Sequence, residues 1–339
     1  MPRVILAYKN FAANRNISHI GLGVSAINTS KVLRRAGVTA DVWPILSATD
    51  LGNRMRMESN AVTHAVISAP WIPSAELQAL ASEHSNVRFA MNCHSNVGFL
   101  QADSNGVRLV REAMDIEIGA HNFHLSGNSR RFCSWVRSAY FRPCTYLPNL
   151  YYLETDLLPL HSLYTTGTLR IGAFGATRPL KNFMSAAGAA LEIARNIKAD
   201  LELWLSVGRS EGGGDCVLHS AHAMLEGLPH VKLVENGWQS WPRFRQNLGY
   251  MHLLLQPSYT ESFNMVTADG IAEGVPSVVS RAIDWVPDHW KANTDDVLDI
   301  ARVGRYLLSD PRAAQDGLAA LQAHNNDGLL AWQDFLSRR

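Results

Sequence analysis

Cysteine, long apolar segments and net charge are all scarce in this sequence. Its 339 residues include 4 cysteines, which lack the spacing of a metal site and need not form disulfides. No apolar run approaches the roughly 20 residues needed to cross a bilayer. The first residues lead directly into a predicted strand, without the pattern of a signal peptide. These absences predict a reduced, cytoplasmic protein without a transmembrane segment.

The charges of the chain nearly cancel, with 31 Lys and Arg against 30 Asp and Glu, which argues against tight nonspecific binding to nucleic acid. Their distribution is uneven. Residues 1–150 carry 15 basic and 9 acidic side chains, whereas residues 151–339 carry 16 and 21. The first part of the chain therefore suits an anionic partner better than the second.

Predicted strands and helices alternate along most of the chain, which is the pattern of an α/β protein with parallel sheets. The alternation forms two arrays, at residues 1–150 and 168–325. Residues 151–167 show little periodicity and are predicted to be a linker, and residues 326–339 are predicted to be a C-terminal helix. With 47% apolar residues, the chain can give each array its own core.

Two acidic residues flank a predicted strand-to-helix turn in the second array. The strand ends near Pro257, Glu261 follows in the turn, and Asp269 lies eight positions later on the helix, before Gly274-Val275-Pro276. Eight residues is just over two helical turns, so both acids can reach one ligand. Carboxylates accept hydrogen bonds from hydroxyls, and a diphosphate can bind at the helix N-terminus between them. The pattern therefore predicts a nucleotide-sugar site.

This arrangement resembles the retaining glycosyltransferases of the GT-B fold, specifically the group called family 4. Its hallmark is Glu-x7-Glu followed by a helix of small residues and Gly-x-Pro; here Asp269 stands in the place of the second Glu. The resemblance implies two Rossmann-like domains that face each other across a cleft, the first on the acceptor side and the second binding the donor, and a C-terminal helix that crosses back onto the first domain. It also implies a nucleotide sugar as co-substrate, with a UDP-sugar such as UDP-glucose favoured, and no cofactor.

No metal is expected, because the Asp-x-Asp element of the other common glycosyltransferase fold is absent from the sequence. The nearest pattern, Glu154-Thr155-Asp156, lies in the predicted linker. The implied reaction keeps the anomeric configuration through front-face attack, with the leaving phosphate taking the proton of the acceptor hydroxyl.

Two cations follow the first predicted strand of the second array. The strand at 169–174 ends in Gly175, and Arg178 and Lys181 follow before a helix that is predicted to begin near Pro179. These residues resemble the family's Gly-Arg and Lys-Gly, whose cations bind the donor diphosphate; Asn182 replaces the second Gly. Fixed cations at this position stabilise the charge that develops on the leaving diphosphate.

Further donor contacts are implied by the resemblance. His94 follows the predicted strand at 89–93 and is implied to contact the sugar. Gly21 and Gly23 open a predicted helix and resemble the family's glycine-rich loop, where glycine permits close backbone approach to a ligand. The remaining predicted donor-binding residues are Gly175, Ser262, Phe263, Asn264, Met265 and Val266, with Arg209 and Asn236 for the base.

An arginine-rich helix at 129–139 is a candidate acceptor surface, through Arg130, Arg131 and Arg137. Aromatic residues are interleaved with these arginines, which suits an anionic acceptor such as nucleic acid, a glycan or a lipid phosphate. An ordinary amphipathic helix with solvated arginines is the other interpretation.

Four functions remain open from the sequence. The first is transfer of a sugar to a hydroxyl acceptor by a retaining glycosyltransferase. The second is the same chemistry on a hydroxylated base of DNA. The third is a nucleotide-sugar 2-epimerase, for which no acid–base constellation is evident. The fourth is a non-catalytic nucleotide-sugar-binding scaffold, against which the presence of Arg178, Lys181 and Glu261 together argues.

Overall fold

The computed structural model describes residues 2–10, 20–58, 61–155 and 164–337. The chain divides into two compact units, the first comprising Met1–Tyr152 and His324–Arg339, and the second Leu153–Ala323. Residues 156–163 of the predicted linker, Asp156 among them, lie outside the described residues, and the domain boundaries stay a prediction.

The first unit contains a parallel sheet with the strand order β2-β1-β3-β4-β5-β6 among its described residues. The strands are β1 Arg3–Lys9, β2 Thr39–Ile45, β3 His64–Ser68, β4 Arg88–Cys93, β5 Phe123–Gly127 and β6 Thr145–Tyr146. The helices between them are α1 Ile20–Arg35, α2 Ala48–Met57, α3 Ser74–Glu83, α4 Val97–Leu100, α5 Ser104–Gly119 and α6 Arg130–Tyr140.

Both faces of this sheet are covered, as a parallel sheet requires. Side chains alternate along β1, so that Val4 and Leu6 enter one core while Ile5 and Ala7 enter the other. This double burial explains why residues 4–7 of the strand are all apolar rather than alternating with polar residues.

The second unit repeats this plan, with the strand order β12-β11-β10-β7-β8-β9 among its described residues. The strands are β7 Thr168–Ala173, β8 Asp200–Ser206, β9 Val231–Asn236, β10 Leu253–Gln256, β11 Ser277–Ser280 and β12 Lys291–Ala292. The helices are α7 Phe183–Ile197, α8 Gly214–Leu225, α9 Trp241–Leu248, α10 Met265–Ala272, α11 Val297–Ser309 and α12 Ala313–Ser337.

Helix α12 is longer than the sequence predicted, since it begins at Ala313, and its last part belongs to the first unit. The indole Nε1 of Trp332 donates to the carbonyl of Pro148 at 2.9 Å. The side chain of Asn325 bonds both the N–H and the carbonyl of Tyr151. These contacts attach the end of the chain to the segment that follows β6.

Among the described residues, no helix combines the length and the apolar character needed to cross a bilayer.

Candidate active site

The predicted donor-site residues of the second unit follow the carboxyl ends of adjacent strands. Strand β7 pairs in parallel with β10, and the segments after these two strands carry Lys181 and Glu261. Open parallel sheets bind ligands at this edge because loops and helix N-termini converge there. The fold thus brings together two side chains that are 80 positions apart in the sequence.

Lys181 and Glu261 form a buried ion pair. The Nζ atom of Lys181 lies 2.5 Å from Oε1 of Glu261, and both residues are buried. Asn264 donates from Nδ2 to the same Oε1 at 3.1 Å, and to Oε1 of Gln256 at 3.1 Å. The Glu261 carboxylate is therefore fixed in place by a cation and an amide.

The protonation of this pair follows from its surroundings. Burial lowers the pKa of Lys181; the charge of Glu261 opposes this shift, and that of Arg178 adds to it. Burial by itself would raise the pKa of Glu261, but the charge and hydrogen bond of Lys181, together with Arg178, hold it below its ordinary value. At neutral pH Glu261 is therefore ionised, and Arg178 lies within electrostatic reach of both residues.

Lys181 ends a short 3₁₀ turn, Pro179–Lys181, rather than lying within the helix predicted from Pro179. Asn182, in the left-handed region at φ +58°, separates this turn from α7. Its amide donates to the carbonyls of Pro257 at 3.1 Å and Thr294 at 2.7 Å. Asparagine tolerates left-handed backbone better than most residues, so it can stand where the family has glycine.

Gly175 makes room for the lysine. Its φ is +119°, a conformation that side chains rarely adopt, and a Cβ there would lie 3.2 Å from Cε of Lys181. Its N–H donates to Oγ of Ser206 at 3.1 Å. The backbone conformation therefore favours glycine here, and an added Cβ would also make a tight contact with the lysine stem.

Helix α10 begins at Met265 with Asn264 as its cap. Asn264 has φ +64°, and its Oδ1 accepts from the N–H of Thr267 at 2.9 Å. The first N–H groups of a helix have no partner within it and carry partial positive charge, which suits an anion. The predicted phosphate-binding backbone, residues 262–266, leads into this helix end.

At Phe263 the backbone, but not the buried ring, is available to contact a nucleotide sugar. The ring is buried and stacks on Trp285, with centroids 5.1 Å apart and planes 20° apart. The indole Nε1 of Trp285 donates to the Phe263 carbonyl at 2.7 Å. These contacts fix the segment between Glu261 and α10.

Arg178 and Arg209 share one carboxylate. Nη1 of Arg178 lies 3.3 Å from Oε2 of Glu211, and Nε of Arg209 lies 3.0 Å from Oε1. The backbones are also joined, because the N–H of Thr177 donates to Arg209 and that of Glu211 donates to Thr177, both at 2.9 Å. Both cations were predicted from the sequence, whereas Glu211 was not, since no local motif marks it as their partner.

Two predicted donor contacts have partners within the protein. The Asp269 carboxylate is buried and accepts from the indole Nε1 of Trp241 at 2.9 Å. Oδ1 of Asn236 accepts from Gln239 at 2.7 Å and from Asn247 at 2.8 Å. The ribose role of Asp269 and the base role of Asn236 stay predictions, and Trp241 is a further residue that the motif did not indicate.

In the first unit, His94 follows the carboxyl end of β4. Burial lowers the pKa of His94 to about 4, so the imidazole is neutral at pH 7. Gly21 and Gly23 lie in the first turn of α1, which begins at Ile20, and residues 11–19 lie outside the described part. A Cβ at Gly23 would lie 3.1 Å from the ring of Tyr8, so this glycine lets α1 pack against β1.

The three arginines of the predicted acceptor surface lie on α6 and are exposed. The guanidinium carbon of Arg130 lies 4.4 Å from the ring centroid of Tyr146. Nε of Arg137 donates to the carbonyl of Cys133 at 3.1 Å. These contacts hold two of the guanidinium groups in place, and the acceptor role of Arg130, Arg131 and Arg137 stays a prediction.

A cavity of about 780 Å³ in the first unit lies away from these residues. It is lined at the amino ends of the strands, by His64 of β3, Arg88 of β4 and Asn122 before β5. His94 follows the opposite end of β4, so this cavity contains none of the predicted site residues.

Comparison with known proteins finds similarity in structure. No protein-family model and no curated protein matches the sequence. A sucrose-phosphate synthase from Thermosynechococcus elongatus has a TM-score of 0.64 at 14% identity, over 98% of this chain and 97% of its own. HepE from Anabaena, solved in complex with UDP, has a TM-score of 0.62 at 12% identity, over 99% and 98%.

A UDP-forming α,α-trehalose-phosphate synthase from Burkholderia xenovorans has a TM-score of 0.62 at 10% identity, over 100% of this chain and 99% of its own. At these identities the likeness shows the fold. The predicted fold class is therefore confirmed: an α/β chain with two parallel-sheet units, as in GT-B glycosyltransferases.

Proposed function

We propose that this protein is a retaining glycosyltransferase that moves a sugar from a nucleotide-diphosphate sugar, preferably a UDP-sugar, to a hydroxyl acceptor without a metal ion. The observation that carries the proposal is the buried Lys181–Glu261 pair, with Arg178 nearby, beyond the carboxyl ends of β7 and β10. The same fold occurs in HepE, solved with UDP, and in a UDP-forming synthase.

The charges around this pair suit a diphosphate. Three cations, Arg178, Lys181 and Arg209, are joined to two carboxylates, Glu211 and Glu261, which leaves one net positive charge. A donor diphosphate gains negative charge as its bond to the sugar breaks. Cations already fixed by protein partners need little rearrangement to stabilise that charge, so they favour the transition state over the ground state.

The proposed reaction breaks the bond between the anomeric carbon and the diphosphate oxygen and forms one between the anomeric carbon and the acceptor oxygen, on the same face. The acceptor hydroxyl proton moves to the departing phosphate oxygen. No separate base is required, because the leaving group accepts the proton.

The remaining residues are assigned to binding. Glu261 accepts from a sugar hydroxyl, the backbone N–H groups of residues 262–266 bind phosphate, and Asp269 accepts from the ribose. His94 is assigned a hydrogen bond to a sugar hydroxyl, and its lowered pKa makes it a neutral partner rather than a cation.

The exposed arginines of α6 favour one alternative acceptor. Arg130, Arg131 and Arg137 share a short helix with no acidic residue, and clustered exposed arginines attract phosphate backbones. A hydroxylated base of DNA is therefore the second candidate acceptor.

The first experiment is thermal stability of the full chain with UDP, GDP, ADP and their sugars, with EDTA and then with Mg²⁺. A ligand at about 100 times its dissociation constant stabilises the folded state by about 2.7 kcal/mol. Lys181→Met should abolish the stabilisation by nucleotide, whereas Lys232→Met, which removes an exposed lysine from an ion pair with Glu202 in the same unit, should retain it.

Turnover then separates the alternatives. Transfer of the sugar to a hydroxyl acceptor, with the anomeric configuration retained as measured by NMR, supports the proposal. Transfer that requires duplex DNA containing hydroxymethyl bases supports the second candidate acceptor. Nucleotide release with a 2-epimerised sugar and no acceptor indicates an epimerase. Binding without any turnover indicates a scaffold, and no shift with any nucleotide contradicts the donor site itself.

A further inference from the structure

A cluster of three metal-ligand side chains lies in the second unit, outside the proposed donor site. His289 belongs to the short turn Asp288–Trp290, Asp310 follows the end of α11, and Asp316 lies in the first turn of α12. Each offers a ligand atom, and these atoms all lie within 4.8 Å of one another. Three separate elements therefore direct one imidazole and two carboxylates at the same point.

Asp310 is the unusual member, because it is buried, with 8% of its surface exposed. Its Oδ1 accepts from the N–H of Arg312 at 3.0 Å, and its carbonyl accepts from the N–H of Ala313 at 3.2 Å, so its position is fixed by the start of α12. Its other oxygen, Oδ2, is buried without a hydrogen-bond partner among the described residues. A buried carboxylate oxygen in that state is costly, and a bound cation relieves the cost.

The other two ligands are oriented toward each other. Nε2 of His289 lies 3.4 Å from Oδ2 of Asp316. The imidazole packs edge-on against Tyr306, with centroids 5.9 Å apart. The Asp310 carboxylate, as acceptor of a hydrogen bond that the Tyr306 phenol donates and as a negative charge, raises the pKa of that phenol. Atoms bound to one tetrahedral zinc at 2.0–2.1 Å are about 3.3 Å apart, which is close to the His289–Asp316 separation.

The solvent exposure of the cluster and the types of its ligand atoms both suit a transition metal. The side chains of His289 and Asp316 are 38% and 35% exposed, so an ion can enter from solvent and keep a water ligand. A mixed imidazole and carboxylate set is typical of Zn²⁺ and its neighbours, whereas Mg²⁺ prefers oxygen ligands and retains its waters.

We propose that His289, Asp310 and Asp316 bind one divalent transition-metal ion of the zinc type, with water completing the coordination. The ion joins the turn before β12 to the end of α11 and the start of α12, and so stabilises the second unit. This site takes no part in the proposed sugar transfer, and its existence does not depend on that function.

The test uses the full chain after treatment with EDTA and its removal, titrated with Zn²⁺ by calorimetry and followed by thermal unfolding. We expect one ion to bind per chain and, at about 100 times the dissociation constant, to raise the Tm of the second unit by about 5–10 °C. Mg²⁺ at the same concentration should produce no comparable shift.

Four variants make the result specific. His289→Ala and Asp316→Asn should each lose the site, and both residues are exposed enough for the fold to tolerate the change. His222→Ala is the matched control, because His222 forms an exposed pair with Glu235 in the same unit at 2.7 Å and its removal should leave zinc binding intact. A double Cys133→Ser, Cys144→Ser variant should also retain the site, which excludes binding by this neighbouring pair of thiols.

The proposal is overturned if the wild-type chain binds no zinc ion, or if His289→Ala and Asp316→Asn bind zinc as tightly as the His222→Ala control. It is equally overturned if the binding disappears in the double cysteine variant.

Discussion

Removing the charge of Lys181 should destabilise the second unit far more than removing the charge of an exposed lysine. The two side chains of the Lys181–Glu261 pair are only 9% and 6% exposed, and their charged atoms are 2.5 Å apart. Lys181→Met keeps most of the stem and leaves Glu261 as a buried, uncompensated carboxylate. Breaking a buried pair in this way costs about 3–5 kcal/mol, mostly through the penalty on the remaining charge.

The matched comparison is the pair of Lys232 and Glu202, at 2.9 Å with side chains 68% and 23% exposed. Because solvent screens this pair, Lys232→Met should cost no more than about 1 kcal/mol. The double variant Lys181→Met, Glu261→Gln should recover much of the loss, since it leaves no unpaired charge. With Glu261→Gln as the second single variant, the loss in the double variant minus the sum of the two single-variant losses measures the coupling within the pair.

The assay is urea unfolding, monitored by hydrogen exchange and mass spectrometry. Peptides that contain β10 report on the second unit separately from the first. If Lys181→Met costs no more than Lys232→Met, the Lys181–Glu261 pair is not buried and the reasoning is refuted.

Two further predictions concern pH and oxidation. Since the pKa of Glu261 is held below its ordinary value, the pair should contribute stability above the unfolded pKa of about 4.3 and lose it as the pH falls through the folded pKa. Glu261→Gln should therefore weaken the acid dependence of unfolding, and unchanged acid dependence would contradict this. Sγ of Cys144 donates to Sγ of Cys133 at 3.4 Å, and this contact lowers the pKa of Cys133, so hydrogen peroxide should convert the two thiols to a disulfide and water. Intact-mass and peptide analysis should show the loss of two hydrogens in wild type and Cys216→Ser but not in Cys133→Ser; a cross-link to Cys216 instead would refute the assignment.

The local elements were well determined by sequence because short-range rules govern them. The apolar run before Pro257 is strand β10, and the small residues after Asn264 form α10. Gly175 was predicted at a strand end and has the positive φ that only glycine readily adopts. The sequence placed the start of the last helix at residue 326, whereas α12 begins at Ala313, and the part that was missed carries the buried residues Ala313, Leu318 and Leu321.

The partners of each charged group were beyond the reach of the sequence. No local sequence pattern indicates that Glu211 pairs with two arginines, or that Trp241 donates a hydrogen bond to the carboxylate of Asp269. Such contacts join segments that the chain brings together only by folding, and their geometry depends on how the sheets and helices pack.

The sequence by itself determined the α/β class, the positions of most strands, and the residue types at the proposed donor site, since periodicity, glycine and capping residues act over a few positions. The tertiary structure alone decided that Lys181 meets Glu261 and that His289, Asp310 and Asp316 converge. The physical reason is that ionic and metal-ligand contacts depend on distances of a few ångströms between residues remote in the chain, and only the packed parallel sheets and their helices set those distances.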